Sequence, residues 1–415
     1  MKEIHIFQLK EGINLHCIKE TKFTAENISF FIQMKLSEKN AANAAVLSYI
    51  LKYGCKNYPS SLDINRKLQS LYGCKIDIFT FKKNCRLILC FNIEFVNKGN
   101  SISKIIDLAA NILLCPLVYD GSFDENNFSK AVFSAEKNIR SLFDNNTSYA
   151  KFRLFEEMAK NAFENETSIS IGISADGSLK EISKITPSSL YEFYRETITK
   201  SPIDIYFAGN ENTDTIKNYF NRVEFADYAR KALPPVEKLK GLNTVGRRKD
   251  EIKGLKQSIL NIGYTFSEGN IYTAEILNEL LSGGGNGILF NTVRQQNGLC
   301  YSISSDILPS LGILCISTGV DRKNIEQSIS LINKAFENIN KLSADDIKSA
   351  ADKLIKNYNL IPDSLSKIIS FCFSCRLNNI PPDIKKYTEN LAKVTKKDIT
   401  NLVSSIKEQV IYSLN

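Results

Sequence analysis

Arg294 and Tyr301 stand out for what their types and spacing could do. They lie in the stretch Leu281 to Ser302, LSGGGNGILFNTVRQQNGLCYS, in the pattern Leu289-Phe290-x3-Arg294-x4-Leu299-x-Tyr301. A guanidinium that stays charged and a phenol that donates a hydrogen bond are poor core material. Placed at the two ends of a helix-to-strand turn, they point to a polar task. The plainer alternative is that Arg294 makes a surface salt bridge and Tyr301 packs on a sheet. Gly283-Gly284-Gly285 ends one helical pattern, and a second begins near Asn286 with Ile288, Leu289 and Val293 directed inward.

Histidine excludes most other chemistry, because the chain has only His5 and His16. A zinc hydrolase needs three protein ligands at fixed spacing, and neither His-x-x-x-His nor His-x-x-Glu-His occurs. Both histidines therefore read as structural or surface residues. Gly241-x4-Gly246 is followed by Arg247-Arg248, so a phosphate loop lacks its lysine and its magnesium hydroxyl. The Gly283–Gly287 run follows a helix, where a dinucleotide site would follow a strand. Without Gly-x-Ser-x-Gly, a nucleophile and its base are also missing. On its own residues the chain has no complete catalytic site.

The chain of 415 residues is long enough for two domains. Its net charge of +8 comes from 53 basic against 45 acidic residues with no dense Lys/Arg block, so no nucleic-acid role is expected. The N-terminal MKEIHIFQLKEG has no continuous apolar run, hence neither a secretory signal nor a membrane span there. Ten cysteines scattered through apolar segments read as buried thiols in a reducing cytoplasm. Cys372-x-x-Cys375 has no second pair and sits in a helical, apolar stretch.

The elements that must position Arg294 and Tyr301 recur along the chain. Strands at 13–18 and 27–36 lead to an Ala-rich helix from Ala41 to Tyr53 closed by Gly54, then a helix from Ser61 to Tyr72 closed by Gly73. Strands over 75–81 and 86–95 follow, then helices over 103–114, 124–143 and 147–162. Thr186-Pro187 caps another helix, and a strand over 203–208 closes the half. The order returns after residue 255, with a strand at 258–266 and a helix from Ile271 to Leu281. Strands over 300–307 and 312–319, helices over 323–340 and 343–358, and a final helix and strand complete it. The reading is α+β: a tandem duplication of one unit, each an antiparallel sheet flanked by helices. The expected domains are 1–222 and 255–415, with a linker over 223–254 that contains Pro234-Pro235 and Arg247-Arg248-Lys249.

This duplicated order, the Arg294/Tyr301 pattern and the segment from Phe123-Asp124-Glu125 to Asn146 together resemble the M16 metallopeptidases. That is the family of pitrilysin, mitochondrial processing peptidase and insulin-degrading enzyme, and the resemblance covers essentially the whole chain. It implies an inverted zinc motif, His-x-x-Glu-His, on the opening helix. Counting back from Gly54 puts the two ligands and the catalytic glutamate on Ala45, Tyr49 and Ser48. None can do that work. The third ligand falls near Val132–Phe133, flanked by Glu125 and Glu136. No cofactor is thus expected in this chain, and zinc is expected in a partner. The resemblance also implies that Arg294 and Tyr301 reach a substrate carbonyl and stabilise its tetrahedral intermediate. The expected function is the noncatalytic subunit of a two-subunit bacterial type, pairing with a zinc-bearing homologue around a peptide. The glycine run compares with a substrate-handling loop or, more plainly, with a helix-ending turn. Two competing readings are a structural subunit without proteolysis and a lone enzyme using another metal set.

Overall fold

The computed structural model describes residues 4–98, 101–161, 170–242, 244–283 and 287–415. In chain order the elements are β1 (Ile4–Lys10), β2 (Ile13–Lys19), β3 (Ala25–Lys35), α1 (Glu38–Ile50), α2 (Ser61–Ser70), β4 (Lys75–Lys83), β5 (Arg86–Val96) and α3 (Ser101–Leu114). A two-residue hairpin, β6 (Val118–Tyr119) and β7 (Ser122–Phe123), precedes α4 (Glu125–Asp144), α5 (Asn146–Asn161), α6 (Leu179–Ile182), α7 (Pro187–Lys200), β8 (Ile203–Gly209) and α8 (Thr213–Phe220). Next come β9 (Gly246–Asp250), β10 (Ser258–Thr265), α9 (Ile271–Ser282), a π-helical turn (Phe290–Gln295), β11 (Cys300–Leu308) and β12 (Ile313–Val320). The chain ends with α10 (Ile325–Ile339), α11 (Ala344–Asn359), α12 (Leu365–Leu377), α13 (Ile384–Ala392), α14 (Lys396–Ser404) and β13 (Lys407–Leu414). The architecture is α+β with two antiparallel-rich sheets, as read from the sequence, and each sheet also holds one parallel pair, β2 with β8 and β9 with β13.

Two compact units form, and neither is one continuous stretch. The first comprises Met1–Ser141, Ile173–Pro235 and Asp363–Phe373; the second comprises Leu142–Gly172, Val236–Pro362 and Ser374–Asn415. The segment read as a linker contains β9, whose sequence GRRKD has no apolar periodicity to betray a strand. Charged residues suit it to its place at the sheet edge.

In the first unit the strand order is β1-β2-β8-β3-β5-β4. Alternate positions face opposite sides. One side gives the core: Leu15, Ile28, Phe30, Ile205, Phe207, Leu89 and Phe91 bury with α1 and α3. The other side is also buried, yet it is partly polar. His16 Nε2 lies 2.9 Å from Asp204 Oδ1 and its ring stacks on Tyr206 at 4.4 Å. Gln33 donates to Asp204 Oδ2 at 2.7 Å, and Arg86 donates to Gln33 at 2.7 Å and to the Pro234 carbonyl at 3.0 Å. Beside this chain of bonds Phe373 of α12 stacks on Phe31 at 4.1 Å.

The second unit has the order β11-β12-β10-β13-β9. Tyr264 points to α10, where its hydroxyl donates to Asn333 at 3.1 Å and its ring meets Phe336 edge-on. The opposite face is covered by α5. A Cβ at Gly263 would collide with the Met158 sulfur, so the absence of a side chain there lets the helix lie close. Arg153 of α5 binds Asp250 at 3.2 Å and pairs with Glu156, while Arg248 and Tyr412 also donate to Asp250.

Both polar clusters carry predictions. Asp204→Ala strips the acceptor from two buried donors, and we expect it to cost about 3 kcal/mol, read as a lower urea midpoint; an unmoved midpoint would refute the network's role. For Asp250, burial pushes the carboxyl up, but hydrogen bonds from Arg248, Tyr412 and Arg153 outweigh it and hold the pKa below the ordinary carboxylate range. A depressed carboxylate adds stability that is present above its unfolded-state pKa and lost as pH falls through the folded value. Asp250→Asn should therefore flatten the loss of melting temperature between about pH 5 and pH 3.

Candidate functional site

The helix α9 ends at Ser282 with Gly283 as its cap; Gly284, Gly285 and Asn286 lie outside the described residues. Beyond them Leu289 and Val293 are fully buried and anchor the π-helical turn. Its wider hydrogen bonding shows in the Gln296 N–H donating to the Asn291 carbonyl at 3.0 Å. The turn closes with the Gly298 N–H on the Arg294 carbonyl at 2.8 Å, Gly298 taking φ +62°, a left-handed value that suits glycine. Cys300 then starts β11 in pairing with Val320, but the register slips before Ile303, leaving Tyr301 and Ser302 in a bulge. Bulges re-aim side chains.

These two irregularities bring the predicted pair together. The Arg294 guanidinium carbon sits 5.2 Å from the Tyr301 ring centroid and 4.8 Å from that of Phe290. Tyr301 is 75% exposed. Among the described residues, neither the Arg294 side chain nor the Tyr301 hydroxyl is hydrogen-bonded or ion-paired. A cation held by aromatic rings keeps its N–H groups for hydrogen bonding to an oxygen. Phe290 stands in the sequence pattern without a role assigned to it; its place four residues before Arg294 was the available signal for the stack.

In the first unit the positions aligned with a zinc motif form core. Ala45 and Ser48 are buried on α1, and the Ser48 hydroxyl donates to the Ala45 carbonyl at 2.7 Å. Tyr49 is half-buried beneath Lys52, its phenol pKa raised by burial and then by Asp176. Tyr53 reaches Ser134 at 3.3 Å, so the expected third-ligand place on α4 does lie near the end of α1. There Phe133 is 70% exposed, and Glu136 pairs with Arg140 at 3.8 Å. This donor set does not fit zinc, which asks for imidazole, thiolate or carboxylate at tetrahedral spacing. Among the described residues no cluster of three or more His, Cys, Asp or Glu is placed to hold a metal ion. His16 is committed to Asp204, and His5 is exposed on β1. Cys372 and Cys375 are buried, unbridged thiols on α12. No described helix is long and apolar enough to cross a membrane.

Residues 184–354 match the family model described as the peptidase M16 inactive domain. The chain is 25% identical to the "probable inactive metalloprotease YmfF" of Bacillus subtilis, with 97% of this chain and 96% of that protein covered. It is 25% identical to the "uncharacterized zinc protease YmxG" of the same organism over 56% of each. Among solved structures, a conserved protein from Enterococcus faecalis superposes with a TM-score of 0.90 at 22% identity, covering 100% of this chain and 99% of that one. A protease from Helicobacter pylori superposes with a TM-score of 0.82 at 13% identity, covering 100% of both.

The turn and the pair it displays should separate in stability measurements. Arg294→Ala and Tyr301→Phe remove no fully buried side chain and are expected to shift unfolding by no more than about 0.5–1 kcal/mol. Leu289→Ala, inside the core, should cost about 2–5 kcal/mol; equal costs would mean that the pair is structural. With the model match, a relative spanning the chain and the shared fold together, the resemblance to M16 proteins read from the sequence is borne out.

Proposed function

We propose that this chain is the noncatalytic subunit of a heterodimeric M16 zinc peptidase, lending Arg294 and Tyr301 to a partner that holds the metal. The observation that carries the reading is the pair itself: a cation and a phenol that stack on each other but make no hydrogen bond or ion pair among the described residues, while Ala45, Ser48 and Tyr49 stand at the positions of the zinc motif. In such an arrangement the partner supplies zinc and the general base. Arg294 and Tyr301 donate to the carbonyl oxygen as it gains negative charge, the stage at which fixed donors act most strongly. The peptide adds as a strand to an exposed sheet edge, a mode that uses main-chain hydrogen bonds and tolerates many sequences. In this unit β11 is such an edge strand and begins at the Tyr301 bulge. Ten cysteines without a disulfide between them favour the cytoplasm as its place of work.

The name of the Bacillus relative, an inactive metalloprotease, supports the noncatalytic part of this reading and equally suits a purely structural M16-like subunit. The two readings part on one experiment. The chain, a co-expressed homologue carrying His-x-x-Glu-His, and their mixture are assayed for zinc and peptide cleavage. Zinc should follow the homologue and turnover should rise sharply only in the mixture. In that mixture Arg294→Ala or Tyr301→Phe should lower kcat on the order of a hundredfold. Unchanged cleavage by both variants would overturn the shared site, and failure to form a complex would leave the structural reading.

A further inference from the structure

The second unit holds a concavity that this reading leaves unused. A cleft of about 890 Å³ opens where the first turn of α5 and the turn 252–257 meet β11 and β12. Ser302, Ser304 and Ser317 line it, and Ser304 and Ser317 are register partners on adjacent strands, so three hydroxyls share one wall. Lys253 and Lys256 stand on the facing turn, both exposed and, among the described residues, in no salt bridge; Asp321 is the single carboxylate of the described lining. Ile259 of β10 lines the inner end. Two residues on, on the same face and in register with Ser317, Asn261 is wholly buried, and its amide has no hydrogen-bond partner among the described residues. Buried amides are rarely left so, because each unmet group carries its full desolvation cost.

Continuity supplies the occupant. Ser302 follows Tyr301 directly, and β11 is the edge strand of its sheet. A chain laid along that edge past Tyr301 enters the cleft. There, hydroxyls meet its main chain, and two lysines outweigh one carboxylate. We propose that the cleft is a recognition subsite for an acidic stretch of extended peptide, with Lys253 and Lys256 reading its carboxylates. The assignment rests on the peptide-binding reading above.

The test is fluorescence polarisation with the purified full chain at low salt, using a labelled peptide that carries two glutamates and its counterpart with glutamines. The glutamate form should bind roughly three- to tenfold more tightly, with the preference shrinking as salt is raised. Lys253→Glu with Lys256→Glu should abolish or invert the preference without weakening the glutamine form. Ser304→Trp, which fills the cleft from an exposed position, should weaken both peptides, its melting temperature confirming that it folds. Equal binding of the two peptides, or a preference that survives the double charge reversal, overturns the cleft assignment and leaves peptide binding standing. Binding of neither peptide overturns the peptide-binding reading, and the cleft assignment falls with it.

Discussion

Central strands buried on both faces impose the constraint from which the rest of this structure follows. In β3 nine of eleven residues are buried, and in β8 all seven are. A strand in that position has no solvent side on which to place a polar group, so any it carries must find a partner inside. His16, Gln33, Asp204 and Arg86 do so in one connected run, ending on the carbonyl of Pro234. A second face also demands a cover. In the first unit the leading part of α12 contributes to it, and in the second α5 supplies it, each drawn from the opposite half of the sequence.

The same accounting separates the two places where chemistry was sought. The helix α1 is packed almost all round, and Ala45 and Ser48 sit inside it as small core residues. With the Ser48 hydroxyl returned to its own helix, that region serves packing. Arg294 and Tyr301 obey the opposite rule. Leu289 and Val293 meet the burial requirement of the turn, which leaves the π-helix and the bulge free to present a cation and a phenol outward.

Much of this was legible in the sequence because periodicity reports burial. The runs over β3, β5 and α1 and the cap at Thr186-Pro187 announced themselves, since apolar alternation and capping are local signals. The spacing of Arg294 and Tyr301 was equally visible. Three things were not. The strand β9 is nearly all charge and owes its existence to pairing with β13, a partner at the far end of the chain. The widening of the helix at Phe290–Gln295 leaves the apolar spacing unchanged, so a π-turn and an α-turn look alike in sequence. The meeting of Ser302, Ser304 and Ser317 depends on strand register, which no local pattern fixes.

The stack of Phe373 on Phe31 has a consequence for how the protein is made. As the chain leaves the ribosome, β3 emerges long before the aromatic ring that covers it, because most of the elements of both units lie between the two in sequence. Until then the Phe31 side of the sheet lacks part of its cover, an apolar surface with strong β propensity in a nascent chain. Contacts so distant in sequence are slow to close. Translation speed between β3 and α12, and the chaperones that attend it, thus bear on the yield of the first unit.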